Sequence, residues 1–256
     1  MEPIIILFYI YSFVIGCCVA SFINVVIYRV PNQISVAKGR SFCPKCKETL
    51  KGFDLIPIIS WLLLKGKCRT CKEPISIRYP LIELIGGIIG LFCFYRYEFN
   101  WMTLLSFSIA MVLLAISMID IDTMTIPNGL VLIMGVFSIL SYFVDPTITL
   151  VSRVIGMVCI SGFMLLLSIC VSGAFGGGDI KLMFMVGFLL GWVNTILAFF
   201  IAVLIAGIYA IYVLVKKIKG RKQHIAFGPY LCIGTFIALV YGSTIIDWYL
   251  SLFMTL

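Results

Sequence analysis

Long apolar runs separated by short polar interruptions set the pattern of this chain. They cover residues 4–28, 80–97, 101–119, 129–144, 150–171, 181–193, 195–215 and 229–246. Each approaches the roughly 20 residues that an α-helix needs to cross about 30 Å of hydrocarbon, although 181–193 is short. The pattern predicts an all-α polytopic membrane protein of about eight transmembrane helices. Composition agrees: 62% hydrophobic residues, 12% charged residues and a mean hydropathy of +1.15 exclude a soluble domain of 256 residues. The first run is too long for a secretory signal and has no basic n-region, since Met1 to Ile15 carries no Lys or Arg. It reads as a retained helix.

One stretch breaks the pattern. Residues 32–79 are basic, punctuated by Gly and Pro, and hold four of the ten cysteines. The expected organisation is therefore a first transmembrane helix in 1–31, a small soluble module in 32–79 and a membrane domain of about seven helices in 80–256. Within the module, Cys43-Pro-Lys-Cys46 and Cys68-Arg-Thr-Cys71 are two CxxC pairs separated by 21 residues. A CxxC turn puts two thiolates on one side, and two such turns complete a tetrahedral shell for Zn²⁺. With four protein ligands and no open position, such a site is structural, and it would staple a segment too small to bury an adequate core. Cys17, Cys18, Cys93, Cys159, Cys170 and Cys232 lie in apolar runs and read as small buried hydrophobes.

Charge orients the helices. With eight spans, 17 of the 19 Lys and Arg residues fall in one set of loops, and only Arg96 and Arg153 fall in the other. The positive side is the cytosolic one. Both termini are then outside, and 32–79, 120–127, 172–180 and 216–228 face the cytosol, a reducing side that disfavours disulfides. Anionic lipid head groups account for the net charge of +8. A nucleic-acid partner is not expected, because no soluble basic face carries interleaved aromatics. His224, the only histidine, reads as a solvated or interfacial residue.

Ionisable groups within or at the edge of a membrane are costly and default to function. Asp120, Asp122, Asp179 and Glu83 are the acids that qualify on the cytosolic side. Asp120 and Asp122 close one helix shortly before Pro127, and Asp179 follows Gly176-Gly177-Gly178 and precedes Ile180-Lys181. The glycine run permits unusual dihedrals and close approach of a substrate backbone. Two carboxylates brought from different helices to one depth can divide acid and base roles, one activating water and the other protonating a scissile carbonyl.

The chain resembles the type IV prepilin peptidases, membrane aspartyl proteases with a GxGD motif. Ala20-Ser21-Phe22-Ile23-Asn24-Val25 with Tyr28-Arg29-Val30-Pro31, the two CxxC pairs, Pro74 to Glu83, Asp120 before Pro127, Gly176 to Lys181 and Ala226-Phe227-Gly228-Pro229 occur in the family's order. Ala20 stands where glycine is usual. The resemblance implies Asp120 and Asp179 as the catalytic pair, with Gly176, Gly177, Gly178, Asp122, Lys181 and Glu83 as loop or substrate-contact positions. It implies a type IV prepilin or pseudopilin substrate with a basic cytosolic leader, in the cytoplasmic membrane of a prokaryote. It also implies N-methylation of the new N-terminus from S-adenosylmethionine. No GxGxxG loop for that nucleoside occurs, so its site would be built from the zinc module and nearby helix ends. Two readings compete. An ion-coupled transporter would need charged groups near the bilayer midplane, which the spans lack, and a non-catalytic scaffold of the pilus or secretion machinery would be indifferent to both aspartates.

Overall fold

The computed structural model describes residues 3–171, 173–216 and 225–254. His224 and most of the basic run between Lys216 and Lys222 lie outside these residues. Regular structure among the described residues is helical apart from two isolated β-bridges, Phe42 with Thr49 and Lys67 with Pro74. The helices are α1 (Pro3–Arg29), α2 (Ile59–Leu63), α3 (Arg78–Tyr97), α4 (Trp101–Thr123), α5 (Asn128–Val144), α6 (Leu150–Cys170), α7 (Gly177–Val215) and α8 (Gly228–Met254). Six are long and apolar enough to cross a membrane, and α5, at 17 residues, is a shorter apolar helix. The chain forms two compact units that divide after Phe107.

In the first unit α1 packs on α3 through small residues. A Cβ on Gly16 would lie 2.3 Å from the Gly86 carbonyl, one on Gly86 would lie 2.3 Å from the Ala20 Cβ, and one on Gly90 would lie 2.4 Å from the Ser12 carbonyl. Lipid tails give helices no hydrophobic reason to associate, so close backbone approach and dispersion hold this pair together. Ala20 is wholly buried in the seam. Phe8, Phe94 and Phe99 close one end, with Phe8 and Phe99 edge to face at 4.6 Å. At the other end Arg29 turns back on the chain that leaves α1. Its guanidinium donates to the carbonyls of Ser35, Lys38, Gly39 and Arg40, which sets the start of the module.

The second unit packs α6, α7 and α8 by the same means. Gly156 and Gly187 approach so closely that a Cβ on either would strike the other's carbonyl, and Gly234 is equally close to the Ala198 carbonyl. The expected runs 181–193 and 195–215 lie together in α7, a 39-residue element broken at Gly191, whose φ of 71° and ψ of 171° are not helical. Only glycine adopts that conformation without strain. Arg153, fully buried on α6, satisfies the groups around this break. It donates to the Phe188, Leu189, Ile148 and Asp145 carbonyls and to both the side chain and the carbonyl of Ser141.

Candidate active site

The last turn of α4 carries Asp120, buried at 5% exposure. The helix stops at Thr123, whose hydroxyl donates to the Ile119 carbonyl, and Met124 takes a φ of 53° before Pro127 leads into α5. Asp120 Oδ2 accepts the Gly228 N–H at 3.0 Å, so the first residue of α8 holds it. Gly228 has to be glycine for this approach, because a Cβ there would fall 2.6 Å from the same oxygen.

Asp179 sits in the first turn of α7, 8% exposed. Its Oδ2 accepts the Gly176 N–H at 3.2 Å, as a residue three places into a helix does when it caps the N-terminus. Its Oδ1 is buried and has no partner. The charge of Asp120 acts on Asp179, and both act on the thiol of Cys232 in α8, which bonds Ser117. The sequence-predicted pair thus lies in one unit, near enough for the charge of Asp120 to reach Asp179.

The glycine run does not use its conformational freedom. Gly176 has an ordinary extended φ of −70° and ψ of 144°, and Gly177 and Gly178 are already helical. What matters is the missing side chain at Gly178, where a Cβ would be 2.9 Å from the Ile126 Cβ, whereas Gly177 faces open space. Lys181 is exposed and donates to Asn128 Oδ1 at 3.1 Å, joining the starts of α5 and α7. Asp122 is exposed, two residues from Asp120 and so on a different face of α4.

The four module cysteines also converge. The Sγ atoms of Cys43, Cys46, Cys68 and Cys71 lie within 4.8 Å of one another, with Cys43 and Cys71 at 3.9 Å. A tetrahedron of Zn–S bonds near 2.3 Å needs sulfurs about 3.8 Å apart, so the donor set fits a structural zinc ion. The two CxxC turns are built alike. Cys43 N–H donates to the Glu48 carbonyl and Lys47 N–H to the Cys43 carbonyl, and Cys68, Glu73 and Lys72 repeat the arrangement. Lys47 and Lys72 both have a φ of 61°. The Cys71 and Thr70 backbone N–H groups pull the Cys68 thiol down to about 7.

Glu83 takes part in neither cluster as these are built. Its Oε2 accepts the Ile58 N–H at 2.7 Å and it lines a cavity of about 710 Å³ in the first unit. Tyr28, Phe42, Trp61, Tyr79 and Asp54 share that lining.

Comparison with known proteins decides the family. Residues 14–97 match the bacterial peptidase A24 N-terminal domain and residues 107–211 match the type IV leader peptidase family. The chain is similar to proteins named prepilin leader peptidase/N-methyltransferase. That of Aeromonas salmonicida (strain A449) is 31% identical, with 93% of this chain and 92% of the relative covered. That of Neisseria gonorrhoeae is 32% identical, with 93% of each covered, and that of Bacillus subtilis (strain 168) is 30% identical, with 94% and 97% covered. This chain belongs to the type IV leader peptidase family. No solved structure matches it at a significant level.

Within this leader peptidase the family matches part between residues 97 and 107, next to the structural division after Phe107. Sequence reasoning read Cys232 as a buried hydrophobe and Gly228 only as part of a family motif, without linking either to the aspartates, and it missed an aromatic cluster. Phe175 and Phe227 are 5.4 Å apart, and Phe199 lies 6.2 Å and 6.3 Å from them. The signal was present, since Phe175 and Phe227 each stand immediately before a glycine that donates its N–H to one of the aspartates.

Proposed function

We propose that this chain removes the leader of a type IV prepilin or pseudopilin with Asp120 and Asp179 and then methylates the new N-terminal amine. The observation that carries the reading is the pair itself. Two buried carboxylates from α4 and α7 act on one another, each is held through one oxygen by a backbone N–H, and the free oxygen of Asp179 is unpartnered. One carboxylate takes a proton from water as the water oxygen bonds to the scissile carbonyl carbon, and the other carboxyl donates its proton to the carbonyl oxygen. Collapse of that tetrahedral centre breaks the C–N bond, the amine takes a proton, and one acid is left protonated for the next turnover.

The positive-side rule supports placing this site at the cytosolic face, with the basic leader on the same side. Eight crossings account for the helices best, because 39 residues of α7 would run about 58 Å as one helix and the break at Gly191 permits two passes. The four-cysteine cluster is read as a structural zinc site. Glu83 and Asp122 offer acidic groups to a basic leader, with Gly176 to Gly178 and Lys181 shaping the loop.

S-adenosylmethionine, when bound, would supply a methyl group from its sulfonium centre to the neutral amine, whose nitrogen gives up a proton as the C–S electron pair stays on sulfur. The cavity of the first unit suits such a cationic nucleoside, since aromatic faces attract cations and stack bases, and Glu83 adds negative charge. The test is mass spectrometry of the products formed from a synthetic leader-containing pilin segment and labelled methyl donor. Cleavage followed by a gain of one methyl group supports both activities. Cleavage without that gain removes the second, and an intact segment removes the first.

A further inference from the structure

The module of residues 32–79 contains a second kind of apolar segment, too short to cross a membrane. Phe53 to Leu64 holds a single charge, Asp54, and that charge is neutralised by Arg69, whose guanidinium lies 2.7 Å from Asp54 Oδ1. A run of 10 to 14 apolar residues belongs in a protein core or in a re-entrant or interfacial segment, and this one is exposed rather than in a core.

The amphipathy of this segment is inverted for a water-facing module. Ser60, Trp61 and Leu64 of the α2 region turn inward and line the cavity, with Trp61 Nε1 donating to the Ile75 carbonyl. Ile59, Leu62 and Leu63, at i, i+3 and i+4, make the outward face and are 54%, 60% and 78% exposed. Phe53, on the 3₁₀ turn that precedes α2, is 79% exposed. Lys51, Lys65 and Lys67 flank the patch and are exposed.

Glu83 fixes where this face lies. It is five residues into α3, which begins at Arg78, so its Cα is about 7.5 Å along the helix from the start. Its carboxylate nevertheless accepts the N–H of Ile58, immediately before α2. Ile58 is the centre of a γ-turn, with φ of 61° and ψ of −53° and the Ile59 N–H on the Pro57 carbonyl at 2.5 Å. That turn is rare for a β-branched residue, and here a carboxylate on a membrane-spanning helix holds it.

We propose that Phe53, Ile59, Leu62 and Leu63 are immersed in the lipid leaflet that borders the module. Lys51, Lys65 and Lys67 then meet anionic head groups, so that α2 lies in the membrane surface as an interfacial helix. Lipid is the fitting occupant because the module is covalently continuous with α1 and α3 at its two ends and cannot leave the bilayer surface. The flanking cations also match anionic head groups, and an apolar face bordered by Lys is the pattern of surface-bound helices.

The test is photo-crosslinking of the full chain in vesicles of phosphatidylcholine and phosphatidylglycerol, with p-benzoylphenylalanine at position 53, 63 or 70. Lipid adducts several-fold more abundant at 53 and 63 than at 70 are expected. Equal lipid labelling at all three overturns the proposal, and so does capture of an added prepilin in place of lipid at 53 and 63. Hydroxyl-radical footprinting of the wild-type chain in nanodiscs gives a reading free of substitutions. Phe53 and Leu63 should resist oxidation despite their exposure in the protein, and oxidation at the rate of a fully solvated residue overturns the immersion.

Discussion

Gly228 donates its N–H to Asp120 at 3.0 Å from a position where a Cβ would lie only 2.6 Å from the accepting oxygen. The hydrogen bond and the absence of a side chain are one requirement. G228A should therefore displace the carboxylate. Losing a hydrogen bond to a charged group costs about 1.5–3 kcal/mol, so kcat should fall roughly 10- to 100-fold. Substrate is not bound through this contact, so KM should change little, and steady-state cleavage kinetics give both numbers.

Gly178 and Gly177 should behave differently although they are neighbours in one glycine run. A Cβ at Gly178 meets the backbone-proximal Cβ of Ile126 at 2.9 Å, which cannot swing away, whereas at Gly177 nothing lies within 4 Å. G178A should lose much more cleavage than G177A. Adding I126G, which removes that Cβ, should recover part of the loss, as contacting positions couple, and cleavage assays on the three variants measure it.

Arg153 is a buried cation surrounded by carbonyls and one hydroxyl. R153M keeps much of the volume but removes the guanidinium donors from those acceptors, of which the Ser141 carbonyl keeps the Asp145 N–H. Each buried acceptor left unsatisfied costs on the order of 1–3 kcal/mol. A thermal melt of the purified chain should show strong destabilisation, reported by the loss of α6 to α7 packing around Gly191.

Zinc retention should weaken with acid. Cys68 is pulled down to about 7 by the N–H groups of Cys71 and Thr70, so its thiolate persists below the usual thiol range and is lost as pH falls through about 7. Protons then compete with the metal. Competition with a chromophoric chelator between about pH 8 and about pH 6 should show affinity falling, steepest below about 7. Affinity that is flat with pH would mean the four thiols do not hold the ion.

Helices, cysteine spacing and the two aspartates were legible because each leaves a periodic or local mark: a 20-residue apolar run, a CxxC pair, an acid at the edge of a run. Gly191 was seen only as a soft boundary between 193 and 195, since one residue in a left-handed conformation leaves no compositional trace. The glycine run was expected to use its dihedral freedom and does not, for a related reason. Gly178 is needed for a contact with Ile126, 52 positions away in the chain, and such a contact has no local signature. Glu83 was recognised as a costly intramembrane acid, but its partner is the backbone of Ile58, which any residue there would supply. The outward face of α2 was lost in the basic composition of the whole 32–79 stretch.

The central claim is that Asp120 and Asp179 together activate water for cleavage. Cleavage of a leader-containing pilin segment by D120N, D179N and D122N, each purified as a folded chain with unchanged zinc content, tests it most directly. The pair predicts cleavage abolished in D120N and in D179N, with D122N retaining a substantial fraction. Cleavage retained in either of the first two, or lost in D122N to the same extent, would contradict it.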